Sequence, residues 1–203
     1  VGKYIKEFFS VKDIVFMSAT AFISLVATAV LAQSWFVFLP FFLGIVLYVV
    51  SEYLTHRFLF HMKPPKHPFF LSLLKRLHYD HHVHPNDLEL LFLPIWYSFP
   101  QMIAISVATY LLFPQLAYAL AIYAGLAVAL LYYEWTHYVA HRPIQPRTRW
   151  GKWMKKIHLW HHYKNENFWF GVTNPSMDIV FGTFKDEKDV PRSETAKQLM
   201  NKK

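Results

Sequence analysis

The chain is 203 residues long, enough for one compact domain and no second sizeable one. Cysteine is absent, which excludes a disulfide framework, a thiolate metal site, an iron–sulfur cluster and a cysteine nucleophile. The formal charge is +8 and 54% of residues are hydrophobic, yet lysine and arginine are missing from 13–56 and from 77–141, a pattern of membrane spans between basic segments rather than of nucleic-acid binding.

Residues 1–12 fit a short amphipathic surface helix with Tyr4, Ile5, Phe8 and Phe9 on its apolar side. The first apolar block, about 14–33, is long enough to cross a bilayer, which takes about 20 residues. A second, about 35–53, follows almost at once, so a cleavable leader does not fit and the two form a tight helical hairpin. Pro40 falls in the first turn of the return span or kinks it. The basic segment 57–76 is interrupted by Pro64, Pro65 and Pro68, and a helix resumes from Phe69 to His82. The third and fourth spans are predicted at about 95–113 and 115–136, with Pro114 between them.

After His141 the chain turns polar. Trp150, Trp153 and Ile157 among Lys152, Lys155 and Lys156 predict an amphipathic helix against the lipid surface. Residues 168–184 read as a compact cap near the histidines, and the last 15 or so as a polar, partly disordered tail. Four spans make two returns, so 57–94 and 137–203 lie on one side, and their basic residues place that side in the cytoplasm. The expected fold is an all-α integral membrane protein with a single domain over 1–203. It has four transmembrane helices in two hairpins and a cytosolic helical cap that holds a histidine-rich dimetal site.

Ten of the 12 histidines fall in four clusters: His56 and His61; His78, His81 and His82; His137 and His141; His158, His161 and His162. Positions four apart share a helix face, so His137 and His141 suit one ion or two neighbouring ones, and each triplet lies on one face. His56 and His61 are five apart and would diverge by about 140° on a regular α-helix. They converge where the helix ends, widens or kinks. Ten imidazoles exceed any one ion's coordination number, whereas two ions could share them, about five each. Neutral imidazole suits iron, zinc, copper and nickel. Candidates to orient the rings are Glu52, Asp80, Tyr133, Glu134, Asn174 and Asp178, and any of the carboxylates could instead be a ligand or a surface group. His67 reads as solvent-facing, and His84, beside Pro85, as a residue of the site mouth.

Iron in such a place activates dioxygen for attack on an unactivated C–H bond, whereas zinc implies a hydrolase or a substituted metal. The segment His56-Arg57-Phe58-Leu59-Phe60-His61-Met62-Lys63-Pro64-Pro65 resembles the first histidine box of the fatty acid 2-hydroxylase group. That group belongs to the membrane fatty acid hydroxylase/sterol desaturase superfamily. His78-Tyr79-Asp80-His81-His82 and Thr136-His137-Tyr138-Val139-Ala140-His141 resemble the second and third boxes. His158-Leu159-Trp160-His161-His162, with Phe170-Gly171-Val172-Thr173 and Met177-Asp178, resembles the fourth and its tail.

The resemblance implies all ten motif histidines as ligands of two iron ions, with zinc as a substitute in a purified sample, and dioxygen as co-substrate. It implies hydroxylation at carbon 2 of a long-chain fatty acyl unit, free or in a sphingolipid. The membrane would be the endoplasmic reticulum in a eukaryote or the inner membrane in a bacterium. Two departures stand out. No His-Pro-Gly-Gly haem motif is present, so electrons are expected from a separate donor such as cytochrome b5, or ferredoxin with its reductase. Met177 replaces an aromatic residue common before the motif aspartate, which bears on substrate fit. The alternatives are a desaturase or hydroxylase of a sterol, carotenoid or other lipid, and a membrane metal carrier. A carrier would place its ligands near the membrane midplane.

Overall fold

The computed structural model describes residues 2–201. In chain order its helices are α1 Gly2–Phe8, α2 Lys12–Leu31, α3 Phe38–Leu54, α4 Pro68–Leu74, α5 Asp80–Val83, α6 Leu88–Leu91, α7 Ile95–Leu112, α8 Leu116–His141, α9 Arg149–Tyr163, α10 Ser176–Val180 and α11 Glu194–Asn201. No strand occurs among the described residues. Four stretches are long and apolar enough to cross a membrane: Lys12–Leu31, Trp35–Phe60, Leu88–Leu112 and Leu116–His141. The chain is therefore an all-α integral membrane protein. It divides into two compact units, one of residues up to 49 with 93–134, the other of 50–92 with 135 onward. The sequence sets the corresponding cap at 57–94 and 137–203.

The first unit is organised around α8. Of its most apolar stretch 67% is buried, against 22%, 22% and 28% in the other three. Six of its buried residues from 117 to 129 are alanines (Ala117, Ala119, Ala121, Ala124, Ala127 and Ala129), which lets neighbouring backbones approach closely. The tightest approach is between α3 and α8. A Cβ on Gly44 would lie 2.4 Å from the Ile122 carbonyl oxygen, and one on Gly125 would lie 2.0 Å from that of Phe41. Helix α2 joins the bundle through polar contacts. The Tyr123 hydroxyl donates to Thr20 Oγ1 at 2.8 Å, and Asp13 accepts the Ile95 N–H at 3.0 Å at the start of α7. Leu93 N–H donates to Glu134 Oε1 at 3.0 Å.

In the second unit the tail is more ordered than its composition predicts. Helix α11 starts on Ser193, whose hydroxyl accepts the Ala196 N–H at 3.1 Å, and Ala196 is fully buried. The cap and one buried side chain fix a helix that polarity alone argues against. The last two residues of the expected tail lie outside the described ones.

Gly125→Val forces a side chain into the backbone of α3 and should cost upward of ~3 kcal/mol. A lowered midpoint of thermal unfolding in detergent checks this. An unchanged midpoint would mean that the two helices do not cross so closely.

Candidate metal centre

Beside the 15-residue α9, the second unit holds several short helices: α4, α5, α6 and α10 have 7, 4, 4 and 5 residues. Such lengths do not hold as isolated helices. Of these, only α5 carries grouped histidines, His81 and His82; the other grouped histidines lie past the end of α3, on 75–79, at the end of α8 and on α9. Helix α3 does not stop at Leu54 but widens into a π-helical segment, Thr55–Phe60. The wider turn brings His56 and His61 to one side, with their Nε2 atoms 3.3 Å apart. A second π-helical segment, Lys75–Tyr79, carries His78 directly into α5 with His81 and His82. The spacing of that triplet gives no hint of it.

The ten imidazoles form two groups of five. His56, His61, His78, His82 and His161 make one; His81, His137, His141, His158 and His162 make the other. Within each group one nitrogen of every ring lies within 4.8 Å of the rest, and all rings but His61 are buried. Each triplet is divided between the groups. His78 and His82, four apart, go to the first and His81 to the second; His158 and His162 go to the second and His161 to the first.

The spacing tests what fills these groups. His61 Nε2 lies 2.8 Å from His78 Nε2, 3.0 Å from His161 Nε2 and 3.3 Å from His56 Nε2. A ring nitrogen carries one proton at most, so hydrogen bonds cannot satisfy four nitrogens meeting at one point. One cation can. Two nitrogens about 2.1 Å from a common ion and at a right angle stand about 3.0 Å apart. In the second group His81 and His137 Nε2 are 2.9 Å apart, as are His141 and His158 Nε2. Burial, reinforced by neighbouring imidazoles, holds His78, His81, His82, His158 and His162 well below the ordinary imidazole range. Burial also lowers His161, to about 4. These rings are neutral near pH 7, the form that binds metal. His82 and His162, one from each group, stack at 4.1 Å, so the two groups adjoin. The residues therefore fit two cations that accept neutral nitrogen.

A ring that binds through Nε2 needs its Nδ1–H held. His56 donates to the Phe170 carbonyl at 2.5 Å and His161 to the Phe168 carbonyl at 2.8 Å. Between them Trp169 is in the left-handed region, φ +57°, at about 1–3 kcal/mol for a non-glycine residue. Trp169 is fully buried, packs with Met154, Ile157 and Val190, and donates its Nε1–H to the Lys185 carbonyl at 3.0 Å.

Asp178, fully buried, accepts the Phe170 N–H at 2.8 Å, the Gly171 N–H at 2.7 Å and the Thr183 hydroxyl at 2.7 Å. The Gly171 N–H and the Phe170 carbonyl belong to one peptide group. Asp178 thus polarises the same peptide whose oxygen holds His56. Glu52 fixes the far end of the loop, accepting the Val172 and Thr173 N–H groups at 2.6 and 3.0 Å. Arg57 donates to the Tyr53 hydroxyl at 2.7 Å, which lies 2.8 Å from Thr183 Oγ1 and continues the chain to Asp178.

Asp80 faces Lys75 at 3.8 Å, and its side chain is 38% exposed. Asn174 Oδ1 accepts the Ser176 N–H at 3.0 Å. Tyr133 and Glu134 belong to the first unit, with the Tyr133 ring 6.1 Å from that of Tyr48. His67 and His84 are exposed and join neither group. The carbonyls of Phe168 and Phe170 escape sequence reasoning, because every residue type supplies one. Their one trace is Gly171, where a Cβ would meet the Asn174 oxygen at 2.2 Å and Asp178 Oδ2 at 2.9 Å.

Asp178→Asn replaces an acceptor with an amide facing two N–H groups. It should weaken one of the two ion sites about 10–100-fold and spare the other. Metal titration of the stripped protein checks this, and equal weakening of both sites contradicts it.

The profile of the fatty acid hydroxylase family matches residues 41–183. The chain is 35% identical over 153 residues to a fatty acid 2-hydroxylase of Macaca fascicularis, covering 73% of this chain and 40% of that one. It is 35% identical over 155 residues to a dihydroceramide fatty acyl 2-hydroxylase of Arabidopsis thaliana, covering 75% and 62%. The solved structure of full-length scs7p, in which only the hydroxylase domain is visible, superimposes with a TM-score of 0.79 and 29% identity. That match covers 90% of this chain and 68% of the other. The chain spans about two fifths of the length of its mammalian relatives, 40% for the macaque protein. With the family profile covering most of its length and both histidine groups inside the matched segment, the chain belongs to the fatty acid hydroxylase family.

Proposed function

We propose that this protein hydroxylates carbon 2 of a long-chain fatty acyl unit, free or held in a sphingolipid, at a di-iron centre. The two adjoining groups of five neutral imidazoles carry the reading, and the names of the relatives supply the substrate class. The reaction consumes the substrate C–H bond, one dioxygen, two electrons and two protons, and yields the alcohol and water. Iron bound in the two groups would supply dioxygen activation; zinc would fill the same positions without redox chemistry.

The protein's own residues prepare the site. Asp178 and Glu52 hold the loop whose carbonyls fix His56 and His161. The Phe170 ring lies 5.6 Å from that of His56, 5.3 Å from His61 and 5.4 Å from His161, an apolar cover that keeps water from the first group. The acyl chain would enter from the bilayer, and the basic residues of 57–76 and 142–164 favour a cytoplasmic site. That membrane would be the endoplasmic reticulum in a eukaryote or the inner membrane in a bacterium. Electrons would come from a donor outside these 203 residues, such as cytochrome b5, or ferredoxin with its reductase.

Lipid mass spectrometry of expressing cells should show one oxygen gained at carbon 2, and none with His81→Ala. His81 Nε2 stands 2.9 Å from His137 Nε2, so its loss opens the second group. The expected drop exceeds the ~10–100-fold that loss of a mere supporting group costs. Full activity of the variant would remove His81 from the ligand set. Protein stripped with a chelator should regain turnover with ferrous iron, while zinc loads to the same stoichiometry without product. Turnover with zinc would overturn the redox reading.

A further inference from the structure

Helix α9 has two occupied faces. His158, His161 and His162 point into the ion groups and are almost fully buried. A separate stripe at i, i+4, i+7 and i+11, namely Lys152, Lys156, Leu159 and Tyr163, lines a recess of about 570 Å³. The 142–148 turn, the 187–192 segment and α11 supply its other walls, through Gln145, Glu187, Arg192 and Met200.

Its charges are unevenly engaged. Lys155 donates to the carbonyls of Val139, Arg142 and Ile144 at 2.9, 2.7 and 2.8 Å, and so caps the end of α8. Lys164 pairs at 2.6 Å with Glu187, the one carboxylate among the described residues that line the recess. Lys152, Lys156 and Arg192 are exposed and make no ion pair among the described residues. Lys156 lies 4.7 Å over the ring of Trp160, which directly precedes His161. The recess is therefore cationic and aromatic, and one helix thickness, about 10–12 Å, from the inward histidines.

We propose that this recess docks an acidic one-electron carrier protein, whose electrons cross α9 to the ion groups. The inference rests on the hydroxylase reading, which needs two electrons per turnover from outside. A carrier delivering them one at a time must bind close to the ions, release quickly and return. Complementary charge gives fast, salt-sensitive encounter of that kind. The concave shape suits a protruding acidic surface better than a flat bilayer.

The test measures binding apart from turnover. Full-length protein in neutral-lipid nanodiscs is titrated with soluble cytochrome b5 and, separately, with a plant-type ferredoxin. The double variant K152E/R192E should raise the Kd of at least one donor about tenfold at low salt, with the difference fading above roughly 0.5 M salt. The matched control K3E/K6E reverses two exposed charges outside the recess and should bind as wild type. Equal affinity of wild type and K152E/R192E overturns the proposal, and so does an equal loss in the control. Loss of donor binding when the lipids are made anionic assigns the recess to the bilayer instead. Product formation driven by dithionite and oxygen is followed in parallel. Its absence in wild type counts against the hydroxylase reading, while the binding result still decides the docking site.

Discussion

Imidazole nitrogens crowded within 3.3 Å of His61 Nε2, with too few protons to hydrogen-bond them all, are the constraint on which the second unit depends. Without a cation their lone pairs repel, and each buried ring forgoes its hydrogen bonds to water. With one, the same atoms become a cross-link among α3, the 75–83 segment, α8 and α9. Helices of four or five residues have little stability of their own. Metal binding and folding are then one equilibrium in this unit, as in small metallo-domains that close around their ion.

The division of the triplets ties the two groups together: two ions bound in them would share their supporting segments. Each takes two histidines from a long helix end, two from one triplet and the middle one from the other triplet. In His-x-x-His-His the first and last residues are four apart and share a face, while the middle one is rotated away by a residue's turn. That offset is large enough to reach an adjoining ion. Every triplet therefore spans both sites, and neither site is complete unless both triplets are in place. The stacked rings of His82 and His162 mark the seam.

The sequence made part of this legible. A bilayer imposes about 20 apolar residues on a span, and that constraint leaves four clear blocks. The five-residue gap between His56 and His61 demanded a break in α-helical geometry, and the π turn at 55–60 supplies it. The π turn at 75–79 left no such mark, because His78, His81 and His82 already look well placed on an ordinary helix. Nor could side-chain chemistry reveal that backbone carbonyls of Phe168 and Phe170 hold the rings. Asp178 was visible as a nearby acid, but its action through a peptide group depends on a loop bent at Trp169, a residue type that rarely adopts positive φ. In α11 a serine cap outweighed a polar composition.

Helix α9 shows how these constraints combine. A helix that is polar nearly all round is ordinarily unstable or exposed. Here the inner polar face is three imidazoles, whose cost of burial is offset when they bind an ion. A narrow apolar stripe, Met154 and Ile157, packs under Trp169 and Val190. Those contacts place the bent loop, and the loop in turn places the carbonyl that orients His161 on the same helix. The helix thus braces the group that positions its own ligand. Lys152 and Lys156 lie away from the ligands, while Lys155, three and seven residues before His158 and His162, flanks the ligand face and closes α8 just beyond His141. Substitutions at the three histidines, at Met154 or Ile157 beneath Trp169, or at Lys155 should therefore be felt at the histidine groups, through the ligands, the loop or the helix end.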